Sequence, residues 1–401
     1  MKKLSRIFCA ALCALILAAC GRQDPEAPSI RRVFLMYSAA FSNLSPSIAH
    51  NEQQLLEGDL PFAGSDDVLL LYSHHTSKNG VYTVPTNPVL VRAYTAPNGL
   101  VKKDTLIVYP DTDVSSSPEV LRQVLLDVKD LFPASQYGLL ISSHAKGWLP
   151  IGYQESSLNI FSAPDDRARR QFPLTKELCI ENVDGGGMEM APLADAIPYH
   201  LDFFIMDACL MGCVEVAYEL RDKCDKIIFS PTEILSYGMI YSTMAKRLFG
   251  SAEADLKGIC VDYMDYYKGQ TGVYQSATIT LVDCRKLEPL ASACAALVGK
   301  YRTSIESIKR SQIQAYFYND LHWFYDLRDI FEQAGAGQVE LSAIDAALQD
   351  CILFKDATPT FFGITMDRVC GLSCYVPGAG KEELEKFYKT LAWNKAIGLI
   401  Q

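Results

Sequence analysis

The sequence predicts an α/β protein built on a doubly wound, largely parallel sheet flanked by helices. Three observations carry this. Short apolar runs, too brief for helices, recur up to Ser230 and alternate with stretches of helical periodicity. The runs are continuous rather than alternating, as in strands covered on both faces. In Leu201 to Glu219 (LDFFIMDACLMGCVEVAYE) such a run, Phe203 to Met206, gives way at Asp207-Ala208-Cys209. Beyond it Gly212, Val214, Val216, Ala217 and Leu220 fall at helical spacing. A strand emptying into a helix places Cys209 at the carboxyl edge of a sheet, where open α/β folds bind ligands. A helix N-terminus there would also favour a thiolate, making Cys209 the candidate nucleophile.

In chain order, Arg32 to Ala39 (RVFLMYSA) reads as the first strand, Ser45 to Leu56 as a helix and Asp67 to Tyr72 (DVLLLY) as a second strand. Tyr82 to Tyr94 holds two short strand-like runs around Pro85-Thr86-Asn87-Pro88, expected as a hairpin outside the main sheet. Thr105 to Tyr109 (TLIVY) is the third core strand. Ser117-Pro118-Glu119 is a helix start: Ser at the cap, Pro at the first position, an acid in the first turn. Val120, Leu121, Val124, Leu125, Val128 and Leu131 give that helix its apolar face. Tyr137 to Ser142 (YGLLIS) is the fourth strand and delivers His144 at its end. Residues 149 to 190 form a long polar loop with Arg167, Arg169, Arg170 and three consecutive glycines, a length that in a compact domain is usually functional or mobile. After the Cys209 strand comes Lys226 to Ser230 (KIIFS). The second half is more helical, with strands expected at Ser276 to Val282, Thr358 to Ile364 and Leu372 to Val376, and a last amphipathic helix from Lys381 to Trp393.

The first residues speak to compartment. Lys2, Lys3 and Arg6 precede an apolar stretch, Ile7 to Leu17, too short to span a bilayer, and Leu17-Ala18-Ala19-Cys20 closes it. Leu-Ala-Ala-Cys resembles a bacterial lipobox. On that reading residues 1–19 are a lipoprotein signal peptide, Cys20 is lipidated, and residues 20–29 are a polar tether to a membrane surface. A catalytic core is expected over 30–250, with a helical and strand-bearing C-terminal part over 251–401 packed on it. The 401 residues carry a formal charge of −10, and the only basic run is Arg167 to Arg170, which argues against a nucleic-acid partner. Of 13 cysteines, Cys9, Cys13 and Cys20 belong to the leader, and none of the rest forms a CxxC pair. Their spacing fits disulfides in an exported protein or buried free thiols, with the latter preferred.

His144 (SSHAKGW) and Cys209 (DACLMG) both end strands. If those strands are neighbours in a parallel sheet, both side chains leave the same edge. The imidazole can then share the thiol proton, the thiolate attack a carbonyl, and the imidazolium protonate the leaving amine. The backbone N–H groups of Cys209 and Ala145 are candidate oxyanion donors. Spacing alone leaves open a buried structural cysteine near an unrelated histidine. His74-His75 lacks a third ligand at zinc spacing and reads as a surface or edge pair. No GxSxG, P-loop or GxGxxG supports a serine hydrolase or nucleotide enzyme.

SSHAKGW, DACLMGCVEVAYE, SPTEI at Ser230 to Ile234 and CGLSCYVP at Cys370 to Pro377 together resemble the clostripain family of cysteine peptidases. The resemblance covers nearly all of the chain after residue 30. It implies a caspase-like fold, His144 as catalytic histidine, Cys209 as nucleophile, and cleavage after Arg or Lys. Asp207 matches one acid of the family's primary pocket, with Ser230 and Glu233 beside it; equally, Asp207 fits a structural carboxylate accepting backbone N–H bonds at the strand–helix turn. Three positions depart from the family pattern: Ala145 stands for the usual Gly after the histidine, Ser143 precedes it where Asp is frequent, and Ile240 stands where a second pocket acid is expected. Self-cleavage in the loop, at Arg167, Arg169 or Arg170, is a further implication. No cofactor is required; calcium dependence varies in the family, and Asp111, Asp113, Asp165, Asp166 and Asp184 show no EF-hand spacing. The expectation is therefore a monomeric, lipid-anchored cysteine endopeptidase on an outer membrane or cell surface, acting on proteins or peptides. The alternative is a binding lipoprotein that keeps the fold without activity.

Overall fold

A computed structural model of the chain describes residues 30–40, 44–79, 82–151, 153, 188–317, 323–378 and 382–401. Residues 1–29, where the signal peptide and tether are expected and which include Cys20, and Arg167, Arg169 and Arg170 lie outside the described residues.

A nine-stranded sheet organises the chain. Its strands are β1 (Ile30–Ala39), β2 (Asp67–His74), β5 (Val89–Thr95), β6 (Val101–Val108), β7 (Ala134–Ser142), β8 (Leu201–Asp207), β9 (Cys224–Phe229), β10 (Thr278–Asp283) and β12 (Ile352–Ala357), in the order β12-β10-β9-β8-β7-β1-β2-β5-β6. The five central strands, β2-β1-β7-β8-β9, run parallel. Both flanks are antiparallel. The parallel strands coincide with the continuous apolar runs, and residues 33–37 of β1, 68–72 of β2 and 203–206 of β8 are all buried. Gly138 in β7 has its own reason: the Phe203 ring lies where its Cβ would be.

Successive side chains point to opposite faces of the sheet. Phe34 meets Phe203 and Phe249 on one face, while Tyr37, three residues on, reaches the Ser115 carbonyl (2.8 Å) on the other. On the first face α1 (Ser45–Leu56) packs on α5 (Tyr241–Phe249), and α5 on α6 (Leu256–Lys268). A second helix group comprises α2 (Pro118–Leu131), α3 (Met190–Ala196), α4 (Val214–Glu219), α7 (Leu287–Ser307), α8 (Leu327–Gln333), α9 (Gln338–Cys351) and α11 (Ala392–Ile397). Ser117 caps α2 by accepting the Val120 N–H at 3.2 Å, as its sequence indicates, and Leu121, Val124, Leu125 and Val128 are buried.

Several elements differ from expectation. Only the first run of the 82–94 segment is outside the main sheet: β4 (Tyr82–Pro85) pairs with β3 (Thr76–Asn79), whereas β5 joins the sheet beside β2. The strand expected as a third core strand is the exposed antiparallel edge β6. The stretch after residue 250 supplies β10 and β12 to the same sheet. β12 precedes the expected strand at 358–364, which is instead a small hairpin of β13 (Thr360–Phe361) and β14 (Ile364–Thr365). From 372–376 only β15 (Ser373–Cys374) is strand, paired with β11 (Tyr325–Asp326). The last helix is broken at Lys389 to Leu391 into α10 (Glu382–Tyr388) and α11. His74 is buried rather than a surface residue. All nine described cysteines are buried and unbridged. Among the described residues no helix is long and apolar enough to cross a membrane.

Candidate active site

Chain order reverses between β1 and β7: β2 follows β1 on one side, β7 to β9 extend on the other. Ligands bind outside the carboxyl ends of strands at such a switch point. In the adjoining β7–β8 ladder Ser142 is opposite Asp207. His144 and Cys209 each lie two residues beyond that pair, on adjacent loops at one edge. The two loops touch. Gly147, with φ of +59°, stands so close to the Cys209 loop that a Cβ on it would be 2.7 Å from the Leu210 carbonyl oxygen.

The Cys209 loop is fixed along its length. The Cys209 Sγ accepts the Ile234 N–H at 3.1 Å, Leu210 N–H donates to the Thr232 carbonyl (3.0 Å), and Gly212 N–H donates to the Ser230 carbonyl (2.8 Å). From the other side, the Ser373 N–H donates to the Gly212 carbonyl at 3.0 Å. Gly212 is required because a Cβ there would lie 2.4 Å from the Pro231 nitrogen. Leu210 holds φ of +62°, a left-handed conformation costly to a non-glycine residue, beside the candidate nucleophile.

Cys209 is not at a helix N-terminus, contrary to the pattern-based expectation. α4 begins five residues later, at Val214, with Cys213 as its cap. Ile234 holds the sulfur instead: its N–H donates to Sγ, and its carbonyl accepts the thiol at 3.5 Å. Cys213 is chemically quiet: burial first, and then the Glu215 charge, push its thiol well above the usual range.

The histidine loop is anchored by Trp148, buried with its ring edge-on to Tyr375 and Tyr388 and its Nε1–H donating to the Trp323 carbonyl (3.4 Å). Ala145, in the usual glycine's place, has no positive φ, so its backbone demands no glycine. Beneath the loops is Asp207, buried, whose Oδ2 accepts the hydroxyls of Ser142 (3.1 Å) and Tyr241 (2.5 Å). Burial, followed by the Asp207 charge, pushes the Tyr241 hydroxyl well above the usual range, so it stays a donor. Ser230 is buried in a hydroxyl cluster with Thr232 (3.2 Å) and Thr278 (2.9 Å) that joins the end of β9 to β10. Glu233 is buried one residue before Ile234. Ile240 caps α5, directly before Tyr241. Among the described residues, no three His, Cys, Asp or Glu side chains gather as a metal site would need.

Sequence reasoning missed Tyr241, the Gly147–Leu210 approach, and Glu215. Glu215 is buried and accepts the Tyr388 hydroxyl (2.7 Å) and Tyr375 N–H (2.9 Å), which ties the C-terminal segment beneath both loops. The CGLSCYVP motif was a signal for this contact, since Ser373 and Tyr375 lie within it.

The nine-stranded sheet and its flanking helices have a caspase-like fold, and the sequence defines a cysteine peptidase. The chain belongs to the clostripain family, whose sequence profile matches residues 102–334. It is similar to an inactive zymogen C11 protease from Parabacteroides distasonis, with 27% identity and a TM-score of 0.75 over 93% of this chain and 99% of that one. A secreted C11 cysteine protease from Bacteroides thetaiotaomicron, solved with an irreversible peptide inhibitor, shares the fold at 23% identity and a TM-score of 0.73, over 92% and 99% of the two chains. No curated protein sequence gives a match.

Proposed function

We propose that this peptidase is a lipid-anchored endopeptidase cleaving after Arg or Lys through a Cys209–His144 dyad. The observation that carries the reading is the matched Ser142–Asp207 pair, which sets His144 and Cys209 two residues beyond it on touching loops. In the reaction the Cys209 thiol gives its proton to His144 and the sulfur attacks the scissile carbonyl carbon. The oxyanion accepts N–H bonds from Cys209 and Ala145. As the C–N bond breaks, His144 returns the proton to the leaving amine. The acyl-enzyme is then opened by a water that His144 deprotonates, and the thiol is regenerated. Asp207, with Ser230 and Glu233 in the wall around it, receives the basic side chain; a buried carboxylate suits a guanidinium or ammonium.

Two further parts of the reading rest on sequence. Cys20 carries the lipid, which holds the protein at the outer membrane or cell surface, and the chain processes itself at Arg167, Arg169 or Arg170. The structural neighbour described as secreted is consistent with export.

Mass spectrometry after exposure to thiol-directed peptidyl probes tests the reading. Labelling of Cys209 by a probe ending in Arg or Lys, absent in Cys209→Ala and slowed at least 100-fold in His144→Ala, is expected. No labelling of folded protein by any probe would overturn the dyad; labelling only by apolar probes would overturn the specificity. Loop cleavage absent from Cys209→Ala establishes self-processing. Release from membranes by Cys20→Ala establishes the anchor.

A further inference from the structure

The resemblance leads one to expect two acids in the pocket, but the second position holds Ile240. The next residue, Tyr241, turns inward from the first turn of α5. Its hydroxyl reaches Asp207 Oδ2 at 2.5 Å, and Ser142 reaches the same oxygen at 3.1 Å from the end of β7. Asp207 and Tyr241 are fully buried. The carboxylate is thus gripped through one oxygen by two neutral donors on two different elements. Two donors on one oxygen fix the plane of the group, which a lone aspartate with two free torsions does not do by itself.

We infer that Tyr241, assisted by Ser142, is a specificity-positioning residue: it holds the Asp207 carboxylate in the orientation that a basic substrate side chain meets. This rests on the reading of Asp207 as the pocket acid. The chemistry follows from charge. Two acids facing one another repel and are held together by the cation they bind. With Ile240 in the second acid's place, hydroxyl donors orient Asp207 without neutralising the charge that the cation seeks. Tyr241 does not touch the reacting atoms, and it acts only through Asp207. Tyr263 and Tyr267 of α6, both buried, stand within electrostatic reach of the same carboxylate. The Tyr267 hydroxyl donates to the Gly238 carbonyl (3.0 Å), which holds the segment leading into α5.

The test uses the full chain and pairs of thiol-directed peptidyl probes that differ only in their last residue, Lys against norleucine. Second-order labelling rates of Cys209, separated into affinity and maximal rate, are measured for wild type, Tyr241→Phe, Ser142→Ala and Asp207→Asn. Thermal melting confirms the fold of each. Tyr241→Phe is expected to lower the Lys-over-norleucine ratio at least fivefold, with the loss in affinity rather than in maximal rate, and Ser142→Ala to lower it less. A merely structural tyrosine would change both probes equally. A ratio lost in Asp207→Asn but retained in Tyr241→Phe and Ser142→Ala overturns the positioning role alone. A ratio near one in wild type, or one unchanged in Asp207→Asn, removes the pocket reading on which it rests.

Discussion

The Leu210 carbonyl oxygen lies 2.7 Å from where a Cβ on Gly147 would stand, and both residues hold left-handed backbones, with φ of +62° and +59°. The two loops that carry the cysteine and the histidine therefore meet backbone to backbone, with no side chain to act as a cushion. The spacing of the two loops is set there.

Gly147→Ala should separate the loops. The new methyl meets a backbone oxygen and the Phe324 ring, at a residue whose φ already disfavours a side chain. Strain and overpacking together should cost about 2–4 kcal/mol of stability, and labelling of Cys209 should fall more than tenfold. Chemical denaturation and probe kinetics on the same sample check both; unchanged kinetics would remove the loop contact from the account.

Gly212→Ala should be the more damaging of the two. Its Cβ would meet the backbone of Ser230 and Pro231, at 2.6 and 2.4 Å, atoms fixed at the end of β9. The bonds from 210 and 212 to 232 and 230 would have to open together. Soluble yield and melting temperature are the readouts, with a loss beyond that of Gly147→Ala expected.

Tyr388→Phe removes a hydroxyl that donates to the buried Glu215 carboxylate at 2.7 Å. Leaving that acceptor short of a donor should cost about 1–3 kcal/mol. The cost should depend on pH. Burial raises the Glu215 carboxyl above its ordinary range, against the opposing bonds from Tyr388 and Tyr375. Its ionisation therefore works against folding, so this contribution is most favourable below the unfolded-state value and declines as pH rises towards the folded one. Loss of the hydroxyl pushes the folded value higher still. Denaturation midpoints should show a larger deficit for the variant at pH 8 than at pH 5.

His74 predicts acid sensitivity. Burial, and then the neighbouring His75 charge, push its imidazole down to about 4. The folded state therefore excludes a proton that the unfolded chain binds. This contribution is complete above the unfolded value near 6.5 and is lost as pH falls towards 4, a change of about 3 kcal/mol. His74→Gln should flatten that limb of the stability profile between pH 7 and 4, at some cost at pH 7, where the ring contacts the Ser115 hydroxyl.

The strands at the centre of the sheet were legible because burial on both faces writes them as unbroken apolar runs, and the Ser117 cap because its chemistry is local. The flanks were not. β6 reads VKKDTLIV, and only its apolar second half looks like a core strand; nothing local says that it is an exposed edge. β12 is half exposed and follows α9 without a break, so its period is blurred. The helix break at Lys389 to Leu391 has neither Gly nor Pro to announce it. The positions of His144 and Cys209 were readable from two strand ends. Tyr241 was not, because its contact with Asp207 spans 34 residues and depends on how α5 docks.

The seam between β7 and β8 divides more than two strands. Everything from β1 to β7 occupies one side of the sheet, as β7-β1-β2-β5-β6, and everything from β8 onward occupies the other, as β12-β10-β9-β8. A chain cut once between Tyr153 and Met188 would become two polypeptides in complementary halves, the histidine in one and the cysteine in the other. A single parallel ladder, the Gly147–Leu210 approach and the Trp148 ring against Tyr375 and Tyr388 are among the contacts that cross between them. Such an enzyme would be one folded body made of two chains, with its candidate active site completed only where they meet.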